Sequence, residues 1–269
     1  MTTRVRGGRY IVQGEAVLHG RVRISGAKNH ALAAMCAALL TDEDVILENV
    51  PYISDVDSLA DLLRALGAVV ERLPDGSLLL NAARVATFEA PTELISENRA
   101  SFQVMGPLLG RYGFAASAPP GGDVIGQRPI DVHLSGFEAM GATVTREGER
   151  FVARAPAGLT GTRVFMDYPS VSGTQNVMMA AVVARGKTTI VNAATEPEVQ
   201  ELCHLLNAMG ARITGVGTQM LEIDGVERLH GVRARIMPDR IEAGTWAIAA
   251  VMTGGELFLD EAPWEVMDA

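Results

Sequence analysis

The 269-residue chain has few cysteines and no long apolar run, and its first residues lack the apolar core that a signal peptide would show. Its two cysteines, Cys36 and Cys203, allow no disulfide framework beyond one pair and have no metal-binding spacing. Both lie in apolar helical patterns, which predicts buried small hydrophobic side chains. No stretch approaches the ~18–20 apolar residues of a membrane span. We therefore expect a cytoplasmic protein with no membrane partner.

The chain also has few aromatic residues and no excess of positive charge. Aromatic residues make up 5% of the sequence, and the formal net charge is −9. A nucleic-acid-binding protein needs a basic surface, and binding to single strands adds aromatic stacking platforms. We therefore expect no nucleic-acid partner. The content of 48% hydrophobic and 20% charged residues is instead typical of a soluble globular enzyme of one or two domains.

The chain contains an internal repeat. Gly67, Gly141 and Gly210 each follow an apolar helical pattern and precede an alternating pattern typical of a strand. A glycine in this position predicts the end of a helix. A second phrase, with a polar opening, an apolar helix and a β-rich strand, alternates with the first. The sequence therefore predicts an α/β fold of strand–helix–strand–helix–strand–strand units, each of about 70 residues.

When the copies of the repeat are aligned, mostly polar or charged residues fall at or near the start of the first helix of each unit. These residues are Lys28–Asn29, Arg99, Ser170–Val171 and Asp239. Because helix N-termini attract anions, we expect the helix starts to form one anion-binding side. Residues 23–237 are predicted to be a complete three-unit domain. Residues 1–22 and 238–269 are predicted to be the margins of an incomplete second domain, so we expect a truncated chain.

The stretch from Pro119 to His133 places one carboxylate, Asp123, on a glycine-rich loop, five residues before Arg128. Glycines on both sides of the acid permit backbone angles that other residues resist. The planar guanidinium of an arginine is suited to a phosphate or a carboxylate. An acid beside an anion clamp predicts transfer chemistry on an anionic substrate, whereas a surface turn with incidental charges is the alternative.

Six phrases together resemble the UDP-N-acetylglucosamine 1-carboxyvinyltransferases, a family of enolpyruvyl transferases. The phrases are SGAKN (25–29), NRAS (98–101), GGDVIGQRPIDVH (121–133), PSVSGTQN (169–176), EPE (196–198) and PDRIEAGT (238–245). The resemblance implies an inside-out α/β barrel with a pseudo-threefold repeat of βαβαββ units. It also implies transfer of enolpyruvate from phosphoenolpyruvate to the 3-hydroxyl of UDP-N-acetylglucosamine, with release of phosphate. This reaction is the first committed step of peptidoglycan synthesis.

The resemblance further implies the roles of individual residues. Asp123 occupies the position of a cysteine in many members and would be the proton donor, with Lys28 and Arg128 as catalytic cations. Without the thiol, covalent trapping by fosfomycin is expected to fail. The implied substrate contacts are Lys28, Asn29, Arg99, Arg128, Pro129, Ile130, Asp131, Val132, Tyr168, Pro169, Ser170 and Val171. No metal and no cofactor is implied.

Other interpretations stay open at this point. A 3-phosphoshikimate 1-carboxyvinyltransferase is disfavoured, because its first helix usually opens with lysine–serine rather than Lys28–Asn29. A non-catalytic UDP-sugar-binding half, completed by a separate chain, is a second alternative. The family's base for the sugar hydroxyl belongs to the second domain, so we expect no turnover from this chain alone unless a longer chain supplies that domain. Structural and functional roles fit His133, Glu196, Glu198 and Asp239 equally well.

Overall fold

The computed structural model describes residues 11, 14, 16–95, 99–121 and 129–267, without the side chains of Glu93 and Arg99. Its contacts divide the chain into a larger unit, Ser25–Met237, and a smaller unit that combines Met1–Ile24 with Pro238–Ala269. Within the described residues, no helix combines the length and the apolar character needed to span a membrane.

Helices and strands alternate along most of the chain. The α-helices are α1 (Lys28–Ala37), α2 (Ser54–Ala65), α3 (Thr92–Ile95), α4 (Met105–Tyr112), α5 (Asp131–Ala139), α6 (Val171–Ala181), α7 (Pro197–Ala208) and α8 (Arg240–Thr253). The strands are β1 (His19–Arg23), β2 (Val45–Glu48), β3 (Val69–Arg72), β4 (Leu78–Asn81), β5 (Phe114–Ser117), β6 (Thr143–Glu147), β7 (Arg150–Arg154), β8 (Arg163–Phe165), β9 (Lys187–Val191), β10 (Arg212–Thr214), β11 (Met220–Asp224), β12 (Val232–Arg235) and β13 (Glu256–Asp260). Short 3-10 helices cover Ala38–Leu40, Arg99–Val104 and Trp264–Val266. The α/β class predicted from the repeat is confirmed.

The larger unit contains three open sheets of closely related topology. Their strand orders are β12-β2-β4-β3, β8-β9-β11-β10 and β5-β7-β6. In the first two sheets a parallel pair, β12 with β2 or β8 with β9, is followed by an antiparallel hairpin. In the third, an isolated parallel bridge from Glu89 to Ala116 stands in for the missing parallel strand. The first sheet takes its parallel strand from β12, because β1 pairs with β13 in the smaller unit.

The three predicted helix-ending glycines have the same geometry. Gly67, Gly141 and Gly210 have φ of 104°, 93° and 101°, values that favour glycine. After each glycine, the amide of an alanine donates back to a carbonyl in the last helical turn: Ala68 to Leu63, Ala142 to Phe137 and Ala211 to Leu206. This pattern is a Schellman motif, which satisfies carbonyls that a helix end leaves without partners.

The core of the larger unit surrounds the central helices rather than one face of a sheet. In α1 every residue from His30 to Ala37 is buried, and in α6 every residue from Gly173 to Ala181 is buried. A helix that is apolar on all sides has to be enclosed on all sides. Cys36 and Cys203 are buried as predicted, and burial raises the pKa of Cys203 to about 12.

A second repeat signature lies at the strand ends. Asn49, Asn192 and Glu261 directly follow β2, β9 and β13, and their φ values are 57°, 60° and 58°. Asparagine tolerates this left-handed conformation better than most residues. The side-chain amide of Asn192 donates to the carbonyl oxygen of Met166 (2.8 Å).

In the smaller unit, α8 packs against β13 and buries only Ala243.

Candidate active site

Several predicted site residues lie at helix starts, as the aligned repeat indicates. Lys28 and Asn29 are the first two residues of α1, and both are exposed. Ser170 caps α6, because its hydroxyl accepts a hydrogen bond from the backbone amide of Gly173 (3.1 Å). Asp131 is the first residue of α5. The first amides of a helix have no intrahelical partner, so these starts can bind anions.

Other predicted site residues fall outside the described part of the chain. Asp123 and Arg128 are not among the described residues, so their predicted roles as proton donor and anion clamp stay predictions. Arg99 begins the short helix Arg99–Val104, but its side chain is likewise not described.

The starts of the central helices are held against one another by hydrogen bonds. The amide nitrogen of Gln103 donates to the side-chain oxygen of Gln175 in α6 (2.6 Å). The backbone amide of Gly106 in α4 donates to the side-chain oxygen of Asn176 (2.6 Å). α1 in turn packs against the short helix Arg99–Val104. Buried amide pairs of this kind are sensitive to geometry, and they fix the relative positions of these helices.

The side chain of Tyr168 joins two predicted substrate segments. The hydroxyl of Tyr168 donates to the carboxylate of Asp131 (3.1 Å) and lies 3.5 Å from the carbonyl oxygen of Pro129. Val132 also packs so closely on Gly173 that a β-carbon there would overlap its side chain. The segments 129–132 and 168–171 therefore form one continuous surface. Tyr168 itself is partly exposed at this surface.

His133 holds the starts of α5 and α6 together. The side-chain oxygen of Asn176 accepts from Gly106, which fixes the orientation of this amide, and its nitrogen lies 2.9 Å from Nδ1 of His133. Because an amide nitrogen only donates, Nδ1 accepts and the proton of the neutral ring lies on Nε2. That nitrogen is 3.3 Å from the hydroxyl of Ser172. The sequence left the role of His133 open, and the geometry gives it a structural hydrogen-bonding role.

The predicted cation Lys28 forms an ion pair that the sequence did not indicate. Its ammonium lies 3.7 Å from the carboxylate of Asp55, in the first turn of α2. Both side chains are partly exposed, and ion pairs of this kind stabilise a fold by at most about 1 kcal/mol. An anionic ligand can therefore compete for the ammonium. Acids in the first turn of a helix are common partners of the helix dipole, so nothing distinguished Asp55 in the sequence.

The other acids that the sequence singled out take different positions. The Asp239 carboxylate caps α8 by accepting from the amides of Ile241 (2.8 Å) and Glu242 (3.1 Å). Glu198 is buried in α7, where its backbone carbonyl accepts from Gln175 (3.2 Å). Glu196 precedes α7, and its side chain forms no capping hydrogen bond. Among the described residues, no group of three or more histidine, cysteine and acidic side chains could hold a metal ion.

Comparison with known proteins decides the family. A family model described as EPSP synthase (3-phosphoshikimate 1-carboxyvinyltransferase) matches residues 12–269. The chain belongs to this enolpyruvyl transferase family. The expected fold is therefore confirmed, with three open sheets around the buried helices.

Within the family, the chain is similar to curated proteins that share one name. A protein of Gluconacetobacter diazotrophicus named UDP-N-acetylglucosamine 1-carboxyvinyltransferase is 50% identical over 252 residues, which cover 93% of this chain and 60% of that protein. One of Staphylococcus aureus, named UDP-N-acetylglucosamine 1-carboxyvinyltransferase 1, is 47% identical over 259 residues, covering 96% of this chain and 62% of the relative. The chain thus spans about 60% of the length of the curated relatives it matches.

Solved structures give the same fold. The enolpyruvyl transferase NikO from Streptomyces tendae superposes with a TM-score of 0.75 at 26% identity, covering 86% of this chain and 54% of that one. EPSP synthase from Acinetobacter baumannii superposes with a TM-score of 0.72 at 16% identity, covering 94% and 57% of the two chains. The second similarity supports the fold alone.

Proposed function

We propose that this chain is the sugar-nucleotide-binding part of an enolpyruvyl transferase that acts on UDP-N-acetylglucosamine and phosphoenolpyruvate. The observation that carries the proposal is the junction of segments 129–132 and 168–171 through Tyr168 and Asp131. The names of relatives at 46–50% identity support the same substrate. The reaction belongs to peptidoglycan synthesis in the cytoplasm, and thereby to cell shape and division. Residues 23–237 are proposed as the complete three-unit domain.

The sugar nucleotide is proposed to lie along the joined segments. The first amides of α6, at Val171 and Ser172, are free of intrahelical partners and suit a diphosphate. Pro129 and Ile130 offer apolar contact to the uracil ring of the nucleotide. The Asp131 carboxylate can accept a hydrogen bond from the N–H group of that ring. The hydroxyl of Tyr168 holds that carboxylate in place, which reduces the conformational freedom lost on binding.

The transfer itself proceeds by addition and elimination. The sugar 3-hydroxyl oxygen bonds to C2 of phosphoenolpyruvate while its own proton passes to a base and a second proton is added to the C3 methylene carbon. Loss of a proton from C3 and cleavage of the C2–O bond to phosphate then give the enol ether and inorganic phosphate. In this proposal Asp123 supplies the proton to C3, and Lys28 and Arg128 hold the anionic groups by charge-assisted hydrogen bonds.

A binding and turnover experiment distinguishes UDP-N-acetylglucosamine from shikimate 3-phosphate as the acceptor. The 269-residue protein is titrated calorimetrically with UDP-N-acetylglucosamine and with shikimate 3-phosphate, and phosphate release is measured with phosphoenolpyruvate and each acceptor. We expect weak binding of the sugar nucleotide alone and no turnover, because the resemblance places the base in the second domain. Turnover with UDP-N-acetylglucosamine would contradict the expected inactivity but support the reaction. Binding or turnover with shikimate 3-phosphate would contradict the proposed substrate.

A further inference from the structure

The last two residues of the larger unit, Ile236 and Met237, have every backbone polar group hydrogen-bonded. The four bonds join Ile236 N to Glu48 O (2.9 Å), Asn49 Nδ2 to Ile236 O (3.0 Å), Met237 N to His30 Nδ1 (3.2 Å) and Ala27 N to Met237 O (2.7 Å). The first two bonds come from the end of β2. The other two bonds come from the start of α1. The backbone amide and the carbonyl oxygen of Met237 are therefore both hydrogen-bonded to this helix start.

The start of α1 has no side-chain cap of its own and is bonded to this segment instead. Ser170 and Asp239 cap α6 and α8 with their own side chains, whereas Ala27 precedes α1 without any side-chain cap. Its amide is instead bonded to Met237. Lys28 and Asn29 lie between Ala27 and His30, which are the two points of attachment. The backbone that carries the predicted phosphoenolpyruvate lysine is therefore held from both ends by one residue of a distant segment.

His30 is suited to this role only as a neutral acceptor. Its side chain is 3% exposed, and its Nδ1 accepts from a backbone amide, which requires the ring proton to lie on Nε2. Burial lowers its pKa to about 4, which keeps the ring neutral. Replacing the ring by an apolar side chain would leave the partly buried Met237 amide without its acceptor, and donors left without a partner away from water are costly.

We propose that His30 is a positioning residue for Lys28 and Asn29, which acts by fixing the backbone of Met237 to the first turn of α1. This inference rests on the proposed function, in which Lys28 binds phosphoenolpyruvate. A lysine on a fixed turn loses less conformational entropy on binding, so the effect of His30 reaches the ligand through the backbone rather than by contact.

Two variants separate the hydrogen bond from the volume of the ring. His30→Asn retains an acceptor at the position of Nδ1, and His30→Leu fills the space without one. Amide hydrogen exchange is followed at Met237, with Ile236 as the matched control because its amide is bonded to Glu48. We expect exchange at Met237 to rise about tenfold in the leucine variant, as a lost hydrogen bond implies, and to stay near that of the unaltered protein with asparagine. Equal exchange in both variants, or a ring ¹⁵N shift typical of a protonated Nδ1, would overturn the proposal.

A ligand titration tests the positioning of Lys28 itself. Binding of phosphoenolpyruvate and of UDP-N-acetylglucosamine to the same three proteins is followed through backbone amide shifts. The leucine variant is expected to weaken phosphoenolpyruvate binding several-fold, the asparagine variant to restore it, and both to leave the sugar-nucleotide affinity unchanged. Unchanged phosphoenolpyruvate affinity in the leucine variant would overturn the role of His30. If neither ligand binds the unaltered protein, the proposed function fails, and the exchange contrast at Met237 alone decides for or against the backbone role.

Discussion

Tyr168 donates a hydrogen bond to the Asp131 carboxylate across 3.1 Å, although the two residues are 37 positions apart in the sequence. One residue precedes α6 and the other begins α5, and these helices pack against each other. The bond turns two separate motifs of the sequence into one surface, on which the proposed sugar-nucleotide site depends.

Removing the Tyr168 hydroxyl tests this surface. Tyr168→Phe keeps the partly exposed ring but leaves Asp131 without its donor. The bond holds the Asp131 carboxylate in place before a ligand binds, so we expect its loss to weaken UDP-N-acetylglucosamine binding several-fold in calorimetry. Tyr112→Phe, at the end of α4, is the matched control and is expected to change nothing. Equal affinities of Tyr168→Phe and the unaltered protein would refute the role of this bond.

Lys28 is expected to govern phosphoenolpyruvate binding rather than stability. Lys28→Met removes the ammonium from the start of α1, and we expect phosphoenolpyruvate binding to weaken by about 10-fold or more, as the loss of a charge-assisted bond implies. The free energy of unfolding in urea should change by less than about 1 kcal/mol, because the pair with Asp55 is partly exposed. Lys187→Met, which breaks an exposed pair with Glu222, is the control that should leave binding intact. A large loss of stability without loss of binding would contradict this assignment.

We expect His30 to make the folded protein less stable at low pH. Its pKa falls from 6.5 to about 4 on burial, so the folded state favours the neutral ring. The stabilisation is therefore complete above pH 6.5 and is lost as the pH falls toward 4, by a total of about 3 kcal/mol. Urea unfolding at pH 7 and pH 4.5 measures this loss as the difference between the unaltered protein and His30→Asn. Identical pH dependence in the two proteins would show that His30 is not the group responsible.

The acid at position 123 predicts resistance to covalent inhibition. A carboxylate does not replace a thiolate as a nucleophile toward fosfomycin, so intact mass measurement after incubation with fosfomycin and UDP-N-acetylglucosamine should show no adduct. Asp123→Cys is expected to introduce a reactive thiol at this loop, whereas the buried Cys36 and Cys203 remain unmodified in both proteins. An adduct on the protein that retains Asp123 would contradict the prediction.

Short stretches of the sequence were enough to predict helix ends, helix starts and the burial of the two cysteines, because each depends on neighbouring residues. The glycines Gly67, Gly141 and Gly210 marked the helix ends because only a left-handed residue completes a Schellman motif there. The polar residues Ser170 and Asp239 marked the starts of α6 and α8, which their side chains cap. The two cysteines were correctly predicted as buried, because each lies within an apolar helical pattern of the sequence.

Long-range relationships could not be read from the sequence. The bond from Met237 to His30 joins residues 207 positions apart, and His30 itself resembles any other polar residue in the first turn of a helix. Likewise, nothing in β12 indicated that it would pair with β2, because parallel pairing depends on tertiary packing rather than on a turn. Asp55 became part of the site only when its ion pair with Lys28 was known.

In the proposed function, the joined segments 129–132 and 168–171 bind UDP-N-acetylglucosamine. The most direct measurement titrates the 269-residue protein with this ligand and follows the backbone amides of Ile130, Asp131, Tyr168, Ser170 and Val171 by NMR. We expect the amides of both segments to shift together with a single dissociation constant, and shikimate 3-phosphate to shift the amides of neither segment. Shifts confined to one segment, or shifts caused by shikimate 3-phosphate in place of UDP-N-acetylglucosamine, would contradict it.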